Sequence, residues 1–169
     1  SRSDENQVKF FDSGPLKSGQ HALEMRNVGG GVCTLDHAFY TPELSDKADG
    51  AEFEYGSGWG NRVRTASYDN TIHYTNGDER SADFEFTGDR FQIFSQVGPD
   101  GGVFDVWING EVVATVDTYG PKKLHQVLVY SSPILVPGFQ DVRVRSKGAS
   151  EANPASSNAW VHIDYIQYN

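Results

Sequence analysis

The fold class follows from one stretch of the chain, FDVWINGEVVATV at residues 104–116. In its first half the apolar Phe104, Val106 and Ile108 are separated by Asp105 and Trp107. A period of two residues is the spacing of a strand with one buried face. The Asn-Gly pair that follows lies between two alternating runs and is a strong hairpin signal, because both turn positions need a positive φ. The stretch therefore predicts a β-hairpin.

The same alternation recurs along the chain. It predicts strands at residues 82–86, 91–94, 104–108, 112–116, 126–130, 140–146 and 160–167. A second Asn-Gly pair, Asn76-Gly77, predicts another hairpin turn, and no segment has the period of an amphipathic helix. Short strands with turn signals between them are typical of an antiparallel sandwich. We therefore predict an all-β fold, an antiparallel β-sandwich.

Composition narrows the classes of function. The formal net charge of −9 argues against nucleic acid, because no stripe of Lys and Arg is available to neutralise phosphates. No apolar run approaches the length that spans a membrane, so membrane insertion is not expected. Cys33 is the single cysteine, which excludes an intrachain disulfide and a thiolate metal cluster.

The chain carries a weak internal repeat. Residues 7–29 align without gaps on residues 126–148, and residues 32–40 resemble residues 160–168. One reading is chance similarity between strand–turn–strand units. In the other interpretation, residues 1–50 are N-terminal strands that resemble the tail of a preceding module and end in a link at 41–50. Residues 51–169 then form the β-sandwich. Repeats of this kind indicate arrays of modules, which serve adhesion or avidity.

From Thr71 onward several motifs resemble a known kind of module. They are TIHYT at 71–75, ADFEFTG at 82–88, DVWING at 105–110, QVLVY at 126–130 and HIDYI at 162–166. They resemble the galactose-binding-domain-like jelly-roll carbohydrate-binding modules that are appended to glycoside hydrolases and other exported proteins. The resemblance covers residues 51–168. It implies a jelly roll, a polysaccharide or glycan as partner, a secreted or extracellular protein, and covalent linkage to further modules.

Three functions remain open on this reading. The first is non-catalytic carbohydrate binding, which would target an attached enzyme or surface protein to polysaccharide or glycan. The alternative is a structural or protein-binding β-sandwich module of an adhesin or surface protein. A small hydrolase is the third, because Asp and Glu pairs are abundant. The sequence lacks Gly-x-Ser-x-Gly, His-Glu-x-x-His and a phosphate loop, so we do not expect an enzyme.

Sugar recognition needs a flat aromatic face for the C–H side of a pyranose and planar polar groups for its hydroxyls. One candidate is the outward side of the strand that carries Trp107. It would share a face with polar residues of other strands, namely Asp83, Glu85, Gln92, Arg143 and Arg145. The competing interpretation is that Trp107 packs beneath a second layer.

The second candidate is one end of the sandwich. If successive strands are antiparallel, the loops at 76–80, 98–102, 119–125 and 147–158 emerge together and carry function. They would present Asp100, Tyr119, Lys122, Lys123, Asn153, Asn158 and Trp160. Trp59 lies in a glycine-rich loop, and two positions are open for its indole. It is either exposed at the surface or packed into the bottom of the sandwich.

A structural calcium ion is expected from the resemblance. In related jelly-roll modules an acidic pair on the first strand and an Asp in the last strand hold calcium, and Glu52, Glu54 and Asp164 stand at similar places. Carboxylate oxygens are the ligands that calcium prefers. Ordinary exposed acids are the other interpretation.

Overall fold

The computed structural model describes the backbone of Asp46–Ala48 and all of residues 52–169, within a compact unit that begins at Leu44. Twelve strands occupy this part of the chain. They are β1 Asp46–Ala48, β2 Glu54–Tyr55, β3 Gly60–Val63, β4 Thr71–Thr75, β5 Asp78–Gly88, β6 Phe91–Val97, β7 Val103–Ile108, β8 Glu111–Asp117, β9 Leu124–Ser131, β10 Gly138–Lys147, β11 Val161–Ile163 and β12 Tyr165–Tyr168. Two short 3-10 turns, Tyr68–Asn70 and Ala149–Glu151, separate some of them.

The strands form three antiparallel sheets. A four-stranded sheet has the order β1-β12-β6-β9, a five-stranded sheet β2-β5-β10-β7-β8, and a three-stranded sheet β11-β4-β3. The backbone nitrogen of Asp164, between β11 and β12, donates to the Phe94 carbonyl at 3.0 Å. The last two strands therefore link the three-stranded sheet to the four-stranded one. The prediction of an all-β antiparallel sandwich is confirmed.

The core lies between the five-stranded sheet and the other two. Phe84 and Phe86 on β5 meet the Tyr168 ring of β12 at centroid distances of 5.1 and 5.4 Å. Val161 and Ile163 bring the three-stranded sheet into the same cluster. Burial alternates along β7 and β10 because one face of each strand packs inward and the other faces outward. The alternation in the sequence thus located the buried faces of β7 and β10 correctly, whereas Val112 at the start of β8 is exposed.

The two Asn-Gly pairs have different roles. Asn109 and Gly110 have φ angles of 50° and 85° and join β7 to its neighbour β8, as predicted for a hairpin. Asn76-Gly77 was predicted to be a hairpin turn as well, and that prediction is wrong. The two strands that it joins lie in different sheets, since β4 pairs with β3 and β11 whereas β5 pairs with β2 and β10. The Asn76-Gly77 pair is therefore a crossover between layers.

The N-terminal part of the predicted organisation is only partly described. Asp46–Ala48, assigned to the link, forms an edge strand against β12, with Lys47 opposite Gln167. Residues 7–40, the first copy of the repeat, lie outside the described residues, and the division at residue 50 stays a prediction. Within the part of the chain that the structure covers, no helix is long and apolar enough to cross a membrane.

Candidate functional site

Three loops at one end of the sandwich are joined through their backbones. The nitrogen of Gly98 donates to the Thr118 carbonyl at 3.1 Å, which links the loop after β6 to the loop after β8. Gly102 donates to the Trp160 carbonyl at 2.8 Å, and Trp160 donates to the Asp100 carbonyl at 3.0 Å. These bonds hold the segment before β11 against the loop after β6. Three of the four predicted loops are therefore joined in one framework, whereas residues 78–80 belong to β5.

An aromatic pair lies beside this framework. The Tyr74 ring on β4 meets the Trp160 indole edge to face at 5.5 Å, and both side chains are partly exposed. Tyr74 is opposite His162 in the register of β4 and β11, on the face away from the core. Gly60 on β3 leaves room for the Tyr74 ring, because a Cβ there would lie 3.1 Å from the Tyr74 Cζ. The sheet thus presents an aromatic surface next to the loops.

Charged and polar side chains surround the aromatic pair. The guanidinium carbon of Arg62 lies 4.9 Å from the Tyr74 ring centroid, and its Nη2 donates to His162 Nε2 at 3.4 Å. Lys123 Nζ lies 3.2 Å from Asp100 Oδ2. We call this group the loop-end site; its members are Arg62, Tyr74, Asp100, Lys123, Trp160 and His162.

Several buried polar atoms at or near the site have no hydrogen-bond partner among the described residues. They are His162 Nδ1, Asp100 Oδ1, Gln96 Oε1 and His125 Nδ1. Gln96 lies on β6, which pairs with the strand of His125 and contacts the strand of His162. Buried polar groups are normally hydrogen-bonded, because an unmade bond costs about 1–3 kcal/mol. These atoms are therefore able to hydrogen-bond to a bound molecule or to water.

Burial and neighbouring cations keep the two imidazoles neutral near pH 7. Burial first, then the charge of Arg62, lowers the pKa of His162 to about 4, although Asp100 acts in the opposite direction. The pKa of His125 is lowered by burial and by Arg64, Lys123 and Arg62. Because His162 Nε2 accepts from Arg62, the proton of the neutral ring is on Nδ1. His162 therefore presents a buried N–H donor.

The low pKa of His162 predicts a stability that falls with acid. In the unfolded chain the group titrates near its ordinary pKa of 6.5 and in the folded chain near 4, so acid favours the unfolded chain between these values. We expect the native protein to lose up to about 3 kcal/mol from this group between pH 6.5 and 4. His162→Gln, which keeps an acceptor for Arg62, should lack this component when urea unfolding is compared across that range. If the free energy of unfolding changed equally with pH in the native protein and in His162→Gln, the low pKa of His162 would be contradicted.

The other predicted loop residues lie on the same framework. Asn158 is exposed and borders a groove of about 310 Å³ that Asn153 and Ser156 also line. Tyr119 is partly buried, and its backbone nitrogen donates to Asp117 Oδ1 at 2.8 Å. No aromatic contact joins Tyr119 to the Tyr74–Trp160 pair within residues 52–169. Asp100, Lys123 and Trp160 are thus the residues predicted at this end of the sandwich that meet in the loop-end site.

The outer face of the five-stranded sheet carries the other predicted platform. Trp107 points outward there and is half-buried, with Arg143 beside it on β10 and the exposed Val112 beside it on β8. The expected Gln92 is absent from this face, because β6 belongs to the other layer. Arg143 is already paired with Asp83. This surface is separate from the loop-end site.

Trp59 lies on the core side of the three-stranded sheet. Its indole is 5.3 Å from the Tyr55 ring, and Tyr55 stacks on the buried His73 at 4.1 Å. Trp59 packs against the hydrophobic core, and its Nε1 is buried. It therefore takes no part in the loop-end site, because its indole lies against the core and the Tyr55 ring.

The three predicted calcium ligands do not meet. Glu52 and Glu54 are exposed, whereas Asp164 is buried and its Oδ1 accepts from the Tyr68 nitrogen at 2.7 Å. Among the described residues, no group of three His, Cys, Asp or Glu side chains is arranged to hold a metal ion. The geometry does not fit the predicted site, and calcium stays an expectation from the resemblance.

Sequence reasoning missed Arg62, Tyr74 and His162 as members of a site. The alternation in residues 71–75 is the signal that could have suggested Tyr74, since it places Tyr74 on the face opposite His73 and Thr75. Arg62 stands in a short strand without clear alternation, so its position depends on the pairing of β3 with β4.

Comparison with known proteins supports a relation to carbohydrate. The chain matches no protein-family model. It is 24% identical, over 94% of its length, to the A type blood alpha-D-galactosamine galactosaminidase of Flavonifractor plautii, of which it spans 15%. Its fold is similar to a Paenibacillus xanthan lyase, with a TM-score of 0.52, 15% identity and coverage of 68% of this chain and 12% of the lyase. It is also similar to the Agl-KA catalytic domain, with a TM-score of 0.53, 14% identity and coverage of 80% and 30%.

These relatives correct one prediction. The sequence was interpreted as that of a protein that is not an enzyme, and that interpretation is contradicted by the galactosaminidase and by the lyase and catalytic-domain structures. The prediction relied on the absence of catalytic motifs, which is weak evidence in a chain that spans only 15% of the galactosaminidase.

Proposed function

We propose that the chain is the carbohydrate-binding β-sandwich of a secreted, modular glycan-active enzyme, and that sugar binds at the loop-end site. The observation that carries the proposal is the Trp160–Tyr74 pair, held at 5.5 Å beside unsatisfied buried polar groups. The similarity to a galactosaminidase supports the choice of carbohydrate as ligand.

The site has both components of sugar recognition. The exposed part of the aromatic pair suits the C–H face of a pyranose, and its burial contributes roughly 25 cal/mol per Å². Asp100, Lys123 and Arg62 offer charged acceptors and donors for ring hydroxyls. Each polar contact adds only about 1 kcal/mol to the binding free energy, because it replaces a hydrogen bond to water. The aromatic surface therefore supplies most of the affinity.

The proposal is tested by affinity electrophoresis and a glycan array. Probes include A-type galactosamine glycans, xanthan, and plant, algal and animal polysaccharides. We expect retardation on at least one polymer, and the release of reducing ends is measured in parallel so that hydrolysis is recorded beside binding. If no glycan is bound or cleaved, the alternative of a structural or protein-binding β-sandwich becomes the better explanation.

A further inference from the structure

The loop-end site concentrates positive charge on an acidic protein. Arg62 donates to His162 Nε2 at 3.4 Å, and, after burial, the charges of Arg62, Arg64 and Lys123 each lower the pKa of both His125 and His162. The whole chain has a formal net charge of −9. A local excess of cations against that background indicates a selected electrostatic feature, because protein charge and ligand charge complement each other at binding sites.

Two of these cations have no carboxylate partner within the described residues. Lys123 is paired with Asp100 at 3.2 Å, whereas Arg62 and Arg64 take part in no ion pair among residues 52–169. Arg62 directs one N–H toward His162 Nε2, and a guanidinium has five N–H donors. Further donors of Arg62 are therefore available to a planar anion, which arginine binds in a bidentate manner.

The outer face of the five-stranded sheet provides a contrast. Its cations are neutralised within the protein: Arg143 pairs with Asp83, Arg145 with Glu79 at 2.7 Å, and Lys147 with Asp105 at 3.2 Å. Each of these pairs joins β10 to a neighbouring strand, β5 or β7. Arg62 of the loop-end site and Arg64, two residues further along the chain, make no such pairs, so no carboxylate of residues 52–169 neutralises their charges.

A second, independent feature points to a ligand at this place. The His162 side chain is 2% exposed and Gln96 is 1% exposed, yet His162 Nδ1 and Gln96 Oε1 have no hydrogen-bond partner among the described residues. One is a donor and the other an acceptor, which suits a ligand that carries hydroxyl groups as well as a charge.

Building on the proposed function, we propose that the loop-end site binds an acidic saccharide, whose carboxylate or sulfate is held by Arg62 while its ring lies against Trp160 and Tyr74. The shared chemistry is an anionic group on a pyranose. A polyanion is repelled by the protein as a whole, so its binding must depend on this local site.

The test uses matched acidic and neutral polymers with the whole chain. The pairs are polygalacturonate and its methyl ester, hyaluronan and its methyl ester, and chondroitin sulfate and unsulfated chondroitin. We expect at least one charged member to bind about 10-fold more tightly than its partner in titration calorimetry, with affinity falling as salt rises. The carboxylate and sulfate pairs distinguish the two sources of charge.

Variants assign the preference to the site. Arg62→Gln should weaken binding of the charged polymer about 10- to 100-fold and that of the neutral one much less. Arg143→Gln, which removes an arginine from the other face, should leave both affinities unchanged. Equal binding within every pair, or no effect of Arg62→Gln, would overturn the inference while the proposed function stands. Absence of binding to any glycan would overturn both.

Discussion

Trp160→Ala is expected to remove most glycan binding while leaving the melting temperature nearly unchanged. The Trp160 indole is partly exposed and packs edge to face on Tyr74, and its backbone bonds to Asp100 and Gly102 do not need the side chain. Interface tryptophans commonly contribute about 2 kcal/mol or more, which is roughly 30-fold in Kd. Affinity electrophoresis on the best polymer and thermal unfolding measure the two effects.

The other tryptophans are the matched controls. Trp107→Ala should leave both affinity and stability close to those of the native chain, because Trp107 is half-buried on the separate sheet face. Trp59→Ala should lower the free energy of unfolding by about 3 kcal/mol, because the indole packs against the core. If Trp160→Ala still binds glycan and Trp107→Ala does not, the binding site is on the outer face of the five-stranded sheet and not at the loop end.

Gly102→Ala is expected to destabilise the fold by about 3 kcal/mol and to disturb the loop-end site with it. A Cβ at Gly102 would collide with the backbone carbonyl of Ala159. The Gly102 backbone cannot shift easily, because its nitrogen donates to Trp160 at 2.8 Å and its oxygen accepts from the Thr118 hydroxyl at 2.7 Å. Urea unfolding gives the change in the free energy of unfolding.

Gly120→Ala is the control within the same loops. The nearest atom to a Cβ there is 3.6 Å away, an ordinary contact, so its effect on stability should be small. Glycan affinity is measured on both folded variants. If Gly102→Ala is no more destabilising than Gly120→Ala, the close approach of the loop after β6 to the segment before β11 is not a constraint on the fold.

Local alternation in the sequence was sufficient to predict β5 to β10, whereas it indicated no strand before β5 and took residues 160–167 as one strand where the structure has β11 and β12 in different sheets. Alternation in residues 104–108 and 140–146 located the inward side chains, because a strand turns each successive residue to the opposite face. Asn109-Gly110 predicted its hairpin because a positive φ is a property of the residues in the turn itself. The sequence also predicted that loops cluster at one end, because successive antiparallel strands return the chain to the same end of a sandwich.

Pairing between distant strands was not accessible in the same way. Asn76-Gly77 has the composition of a hairpin turn, yet β4 pairs with β11, from a segment near the end of the chain, and with β3. That pairing places Tyr74 beside His162 and brings Arg62 over the Tyr74 ring, which creates the loop-end site. The environments of the three tryptophans likewise depend on strand pairing and packing: Trp59 lies against the core, Trp107 on the outer sheet face and Trp160 against Tyr74. Strand partners are selected by the burial of whole faces across the core, a property of all the strands together, whereas alternation and turn residues act within a few positions of one strand.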